Sequence, residues 1–304
     1  MRILCATDLL AKSEAAVRRA GMLADQMGAE LTLLHVRQPG DSRPLAHIKG
    51  HIEASGARSQ TRPSVIVRTG DPARLIIDTL EESNSQLLIL GQHARRPLRD
   101  ALVGTIAEKV LMVKRRPLLV VQEEPLAAYE RVLLALDASE TSAGAVKASE
   151  SLVVAPRTRM KVVHAHETPF TSMLDYAGVD ADAIARYASD WERDAVSAVR
   201  ALVRSASVDD ERYEISVEQG QPVSAILRVV ESYAPDLMVI GTRGRGRVGR
   251  ALLGSVANRL LHELSCDALF VPEGSFEAPA ERWRAPRGLN RAPAKSTHVI
   301  GVDS

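Results

Sequence analysis

The residues best equipped for chemistry lie in the second half of the chain. The run GTRGRGRVGRALLGS starts at Gly241 and ends at Ser255. Its glycines let a backbone approach a bound group with no Cβ in the way. Arg243, Arg245, Arg247 and Arg250 bring positive charge, and Ser255 brings a hydroxyl. A helix starting near Gly254-Ser255 would add unpaired backbone N–H groups and the positive end of its dipole. Together these parts suit a polyphosphate. The loop is not a Walker loop, because no Gly-Lys-Ser/Thr follows its glycines. Asp137 and Ala165 each close a short apolar run upstream, so all three features fall at strand ends.

What must position them is a unit written twice. Arg2-Ile3-Leu4-Cys5-Ala6-Thr7-Asp8 parallels Arg131-Val132-Leu133-Leu134-Ala135-Leu136-Asp137. The intervals decide against chance. Asp8 to His35 and Asp137 to His164 are both 27 residues, and Gly70 to Gly91 and Gly220 to Gly241 are both 21. Gly91 to Gly104 and Gly241 to Gly254 are both 13. His35 to Gly70 is 35 residues but His164 to Gly220 is 56, so copy two carries one localised insertion of 21. Two copies of so long a unit make a duplicated domain and not a solenoid. The expected division is a domain at 1–123, a domain at 130–273, and a basic tail at 274–304 read as disordered.

Each copy alternates strand and helix. The apolar runs at 3–7, 31–36, 65–67, 87–90 and 118–121 lack polar alternation, as strands covered on both faces do. Ser13 is the expected cap of the first helix and Gly28 its end. Asp71-Pro72 starts another helix, and Gln221-Pro222 does so in copy two with a poorer cap. The insertion falls on one long helix near 172–204, where copy one has only about 43–57. The pattern predicts an α/β protein with two doubly wound parallel sheets, which bind ligands beyond the carboxyl ends of their strands.

Copy two resembles a universal stress protein domain of the nucleotide-binding type. The family motif is Gly, two residues, Gly, nine residues, Gly, then Ser or Thr, and here it is Gly241, Gly244, Gly254 and Ser255. The resemblance covers both copies, about residues 1–273. It implies an adenine-nucleotide α-hydrolase-like fold with five strands in the order 3-2-1-4-5 in each copy, often paired through the fifth strand. The tandem chain would then be an intramolecular pseudo-dimer, able to form a further homodimer. The resemblance implies ATP as ligand, with Mg²⁺ as companion. Asp137, flanked by Ala135 and Leu136, would reach the adenosine part, and Ala165 would touch adenine. Gly241, Arg243 and Gly244 would hold ribose and phosphate, and the backbone of Gly254, Ser255, Val256 and Ala257 would carry the triphosphate.

Copy one departs from the motif, with Gly91, then Ala94 in place of the second glycine, then Gly104-Thr105. The Ala94 methyl stands where the backbone must come closest. Thr7, Asp8, Val36, Gly91, His93, Gly104 and Thr105 form its weaker counterpart site. The resulting expectation is an ATP-binding stress-response regulator or resistance factor, with nucleotide held mainly by copy two. A slow ATPase on the same site, and a nucleotide-independent scaffold for a protein partner, are the rival readings.

Other classes fit poorly. Net charge is +1 and aromatic residues are 3% of the chain, so base stacking on nucleic acid is poorly supplied. No apolar stretch approaches the roughly 20 residues that span a bilayer. The first ten residues, MRILCATDLL, lack a secretory pattern, so a cytoplasmic protein with no membrane partner is expected. Two cysteines cannot make a disulfide framework; both read as buried thiols. His47 and His51 share a helical spacing that can hold a metal, but Leu45, Ile48 and Ile52 put them on the solvated face. No metal site, Ser-His-Asp group or Cys-His group is expected. His35 and His164 occupy equivalent strand ends and read as structural.

Overall fold

A computed structural model describes residues 1–37, 40, 43–44, 46–47, 50, 62–91, 102–113, 116–152, 158–166, 176–177, 179–207, 209–242 and 253–275. Copy one contributes strands β1 (Arg2–Thr7), β2 (Glu30–Arg37), β3 (Ser64–Thr69), β4 (Leu87–Gly91) and β5 (Leu118–Val121). Its helices are α1 (Ala11–Met27), α2 (Pro72–Glu82) and α3 (Leu102–Val113). Copy two contributes β6 (Arg131–Ala135), β7 (Arg159–His166), β8 (Tyr213–Gln219), β9 (Leu237–Gly241) and β10 (Asp267–Val271). Its helices are α4 (Glu140–Leu152), α5 (Ala181–Ala206), α6 (Pro222–Tyr233) and α7 (Ser255–Glu263).

The strands form one ten-stranded sheet in the order β3-β2-β1-β4-β5-β10-β9-β6-β7-β8. Each half has the expected 3-2-1-4-5 order. Even the register repeats: Ile3 pairs Leu31 as Val132 pairs Met160, and Ala6 pairs Leu34 as Ala135 pairs Val163. The strands run parallel within each half. The halves meet through antiparallel β5 and β10, with Leu119 opposite Leu269 and Phe270 opposite Leu118. Each sheet face carries one apolar core, and each core crosses the junction. Ile3, Cys5, Leu119, Leu269 and Val239 share one face, and Leu4, Leu118, Phe270 and Met238 share the other. Phe270 is fully buried at the seam. The central strands are buried on both faces as expected, but β3 and β8 are only half-buried because they are the sheet's edges.

Local signals fare unevenly. Gly28 ends α1 in the left-handed conformation, with φ 57°. Asp71 caps α2, accepting the Arg74 N–H at 2.8 Å, and Pro72 follows it. Gln221 precedes Pro222 without a side-chain cap bond. Ser13 does not cap α1: the helix starts at Ala11 behind Leu10, and Ser13 lies inside its first turn. The long helix of copy two is Ala181–Ala206, later at both ends than 172–204: Asp180 caps its start by accepting the Ala183 N–H, and the Ser207 N–H closes its end on the Val203 carbonyl. In copy one, residues 46, 47 and 50 are helical, and 48, 49 and 51–57 lie outside the described residues.

A buried polar cluster ties the linker to both halves. Arg19 of α1 places its Nε 3.3 Å from Asp267 Oδ2 at the start of β10. It also donates to the Ala127 carbonyl at 2.8 Å and lies 4.0 Å from the centre of the Tyr129 ring. The Tyr129 hydroxyl donates to Asp267 Oδ2 at 2.7 Å, and the Gln122 N–H donates to Asp267 Oδ1 at 2.8 Å. Burial pushes the Asp267 carboxyl above its usual range, against the pull of these donors.

Candidate functional site

In copy two the first strand, β6, lies between β7 and β9, so chain connections leave it in opposite directions. A crevice opens at such a switch point. Here it is a cleft of about 300 Å³. Ala135, Leu136 and Asp137 enter it from the end of β6, and Val163 and Ala165 from β7. Ile240, Gly241 and Thr242 close the β9 side, and Pro222 and Ile226 of α6 form an apolar wall. Gly254, Ser255, Val256 and Ala257 complete it at the start of α7.

The α7 end of the cleft is electropositive through its backbone. Gly254 is the N-cap and has no side chain to offer the first-turn N–H groups. Asn258 N–H is the first to return to the Gly254 carbonyl, at 2.8 Å. The N–H groups of Ser255, Val256 and Ala257 precede that first bond, at the helix's positive end. The helix start is fixed by two backbone bonds. Gly254 N–H donates to the Thr242 carbonyl at 2.8 Å, and Thr242 N–H donates to the Val271 carbonyl of β10 at 3.0 Å.

Opposite stands Asp137. Its Oδ1 accepts from the Ser139 N–H at 3.1 Å and from the Ser142 hydroxyl at 2.6 Å. The next residue, Ala138, sits at φ 54°, in the left-handed region that penalises a side chain. Copy one repeats the arrangement. Leu9 sits at φ 67°, and Asp8 Oδ1 accepts from the Leu10 N–H at 2.9 Å and the Ser13 hydroxyl at 2.5 Å. The same left-handed turn therefore follows the aspartate in both copies. His35 and His164 are buried behind these turns, donating from Nδ1 to the carbonyls of Thr7 and Leu136 at 2.8 and 2.7 Å. These bonds tie the second strand of each copy to the chain at the end of the first.

Nine of the eleven copy-two residues singled out by sequence line this cleft: Ala135, Leu136, Asp137, Ala165, Gly241, Gly254, Ser255, Val256 and Ala257. Arg243 and Gly244 lie outside the described residues, as do Arg245, Arg247 and Arg250. The sequence reading missed Ser142, Val163, Pro222, Ile226, Ile240 and Thr242. Ser142 was findable, because Asp137 to Ser142 repeats the interval from Asp8 to Ser13. The apolar wall was not, since its residues read as ordinary core.

In copy one, Thr7 ends β1 with Asp8 directly after it, Val36 lies in β2, and Gly91 ends β4. Gly104 and Thr105 are the third and fourth residues of α3, not its cap and first residue as Gly254 and Ser255 are in α7. Thr105 therefore stands at the fourth position of α3, the position that Asn258 and not Ser255 holds in α7. His93 and Ala94 lie outside the described residues, as does His51; His47 is exposed. Among the described residues, no group of three or more His, Cys, Asp or Glu side chains is placed to hold a metal ion. Cys5 and Cys266 are buried free thiols, each pushed up to about 12 mainly by burial. Among the described residues no helix is long and apolar enough to cross a membrane.

Comparison with known proteins agrees with this architecture. The chain is 26% identical over 298 residues to a universal stress protein of Mycolicibacterium smegmatis, covering 88% of this chain and 96% of that one. A universal stress protein of Thermus aquaticus is 32% identical over 145 residues, which is 47% of this chain and 98% of the relative. The crystal structure of a universal stress protein from Archaeoglobus fulgidus superposes with a TM-score of 0.62 at 20% identity, covering 90% of this chain and 98% of that one, a likeness of fold. The model of the universal stress protein family matches twice, at residues 1–122 and 128–272, and the chain belongs to that family.

Proposed function

We propose that this chain binds ATP in the cleft of its second half and acts as a cytoplasmic stress-response regulator or resistance factor. The observation that carries the reading is the convergence of an apolar cleft, a carboxylate and an uncapped helix start at one switch point. The parts divide as ATP does. Leu136, Val163, Ala165, Pro222 and Ile226 offer apolar surface to a base, and Asp137 offers an acceptor to ribose hydroxyls. The N–H groups of Ser255, Val256 and Ala257 and the dipole of α7 suit the phosphates, a dipole alone contributing about 0.3–1 kcal/mol per charge. Arg243 and Gly244 follow Gly241 and Thr242 in sequence and are assigned to the same end. Mg²⁺ would arrive on the phosphates and screen their charge, with the Ser255 hydroxyl as the oxygen this chain offers beside them. The domain of copy one, residues 1–123, is the weaker site, since α3 begins two residues ahead of Gly104.

Native mass spectrometry of the full chain with Mg-ATP tests this. Gly254 has φ −61° and ψ 145°, a conformation open to any residue, so Gly254→Val puts bulk at the cleft without straining the backbone. One ATP bound, lost in Gly254→Val and retained in Gly104→Val, is the expected result. A folded wild-type chain that binds no ATP refutes the reading and favours a nucleotide-independent scaffold.

A further inference from the structure

We propose that Ser142 is a positioning residue: its hydroxyl sets the Asp137 carboxylate in the pose that meets the ligand of the copy-two cleft. This rests on the reading of that cleft as a nucleotide site. The hydroxyl closes a ring on a single residue. It donates to Asp137 Oδ1 at 2.6 Å and accepts from the Asp137 backbone N–H at 3.2 Å. A group bonded to both the backbone and the carboxylate of one aspartate restrains that side chain's rotation about its own Cα–Cβ bond. Ser142 is 3% exposed, so water competes poorly for either bond, yet it lines the cleft beside Asp137.

The geometry behind this contact is costly and is built twice. Ser142 is the third residue of α4, and it reaches Asp137 because the chain turns at Ala138 with φ 54°. Copy one makes the same turn at Leu9 with φ 67°, and Ser13, 7% exposed, reaches Asp8 Oδ1 at 2.5 Å. A hydroxyl used only to finish a helix end would need neither the strained residue nor the aspartate. Two copies that differ in their glycine motifs nevertheless share the aspartate, the strained turn and the serine.

The test is ATP affinity, measured by isothermal titration of the full chain in wild type, Ser142→Ala, Ser142→Thr, Asp137→Ala and the Ser142→Ala/Asp137→Ala pair. Thermal midpoints confirm that each variant is folded. Ser142→Ala is expected to bind about tenfold more weakly, the worth of one hydrogen bond to a charged group. Ser142→Thr keeps the hydroxyl and restores affinity. In the Asp137→Ala background the serine change has no further effect, an outcome that a merely structural serine does not give. Crystals of ligand-free Ser142→Ala should show the Asp137 carboxylate displaced from its wild-type rotamer. Wild-type affinity in Ser142→Ala, or an equal loss in the Asp137→Ala background, overturns the role of Ser142 while leaving ATP binding intact. A wild-type chain that binds no ATP is a different failure, which removes the site and this inference with it.

Discussion

The junction between the halves can be tested at Asp267. Its side chain and that of Arg19 are 3% and 8% exposed, with Nε and Oδ2 3.3 Å apart. Asp267→Asn keeps an oxygen for the Gln122 N–H and a partner for the Tyr129 hydroxyl, which can turn to accept. It removes the negative charge facing Arg19. The guanidinium then keeps the Ala127 carbonyl at 2.8 Å and the Tyr129 ring face at 4.0 Å as its contacts within this cluster. Breaking a buried pair in this way costs about 3–5 kcal/mol, because a buried cation is left uncompensated. Arg19→Met leaves the opposite charge, and that charge can neutralise itself. The Asp267 carboxyl is already raised above 3.8 by burial, so the folded chain holds this proton more tightly than the unfolded chain. The associated stability is present below 3.8 and is lost as pH rises through the raised value. The Arg19→Met penalty should therefore shrink on acidification, while the Asp267→Asn penalty should not. The double variant, with neither charge, should recover most of the loss. Equilibrium urea unfolding of the four proteins at pH 7 and pH 5 reads all three effects. Singles that add up in the double, or an Asp267→Asn change below about 0.5 kcal/mol, would refute the cluster as a coupled buried pair.

Other outcomes follow from single positions. Ala138→Gly removes a Cβ from a residue at φ 54° and should stabilise the fold by about 1 kcal/mol in the same assay; destabilisation would mean that the turn is not strained. Cys5 and Cys266 are both buried and pushed up to about 12, so a maleimide at pH 8 should label neither in the native chain and both in urea. A thiol labelled rapidly without denaturant would contradict the packing around it.

Legibility in the sequence followed the range of the forces involved. Equal intervals in the two halves foretold a repeated register, because strands buried on both faces cannot slip without exposing their apolar residues. Gly28 and Asp71 were readable for a local reason: each acts through its own backbone or a neighbour three residues away. Ser13 misled because a serine before an apolar helix reads as a cap, whereas a turn at Leu9 redirects its hydroxyl to Asp8. The cluster of Arg19, Tyr129 and Asp267 joins three distant segments and leaves no local pattern.

The two halves differ at the start of α3, a place the sequence reading did not single out. The reading placed the weakness of copy one at Ala94. The structure adds that Leu102 and Val103 carry α3 ahead of Gly104, so the glycine lies within the helix and not at its start. At the aspartate end the copies match, with Asp8, Leu9 and Ser13 reproducing Asp137, Ala138 and Ser142. Restoring glycine at Ala94 therefore leaves the helix start where it is. Full nucleotide affinity in copy one would also require α3 to begin at Thr105, as α7 begins at Ser255. If Ala94→Gly alone gave copy one an affinity equal to that of copy two, the helix start would be irrelevant to phosphate binding, and the role assigned to the α7 N–H groups would fall with it.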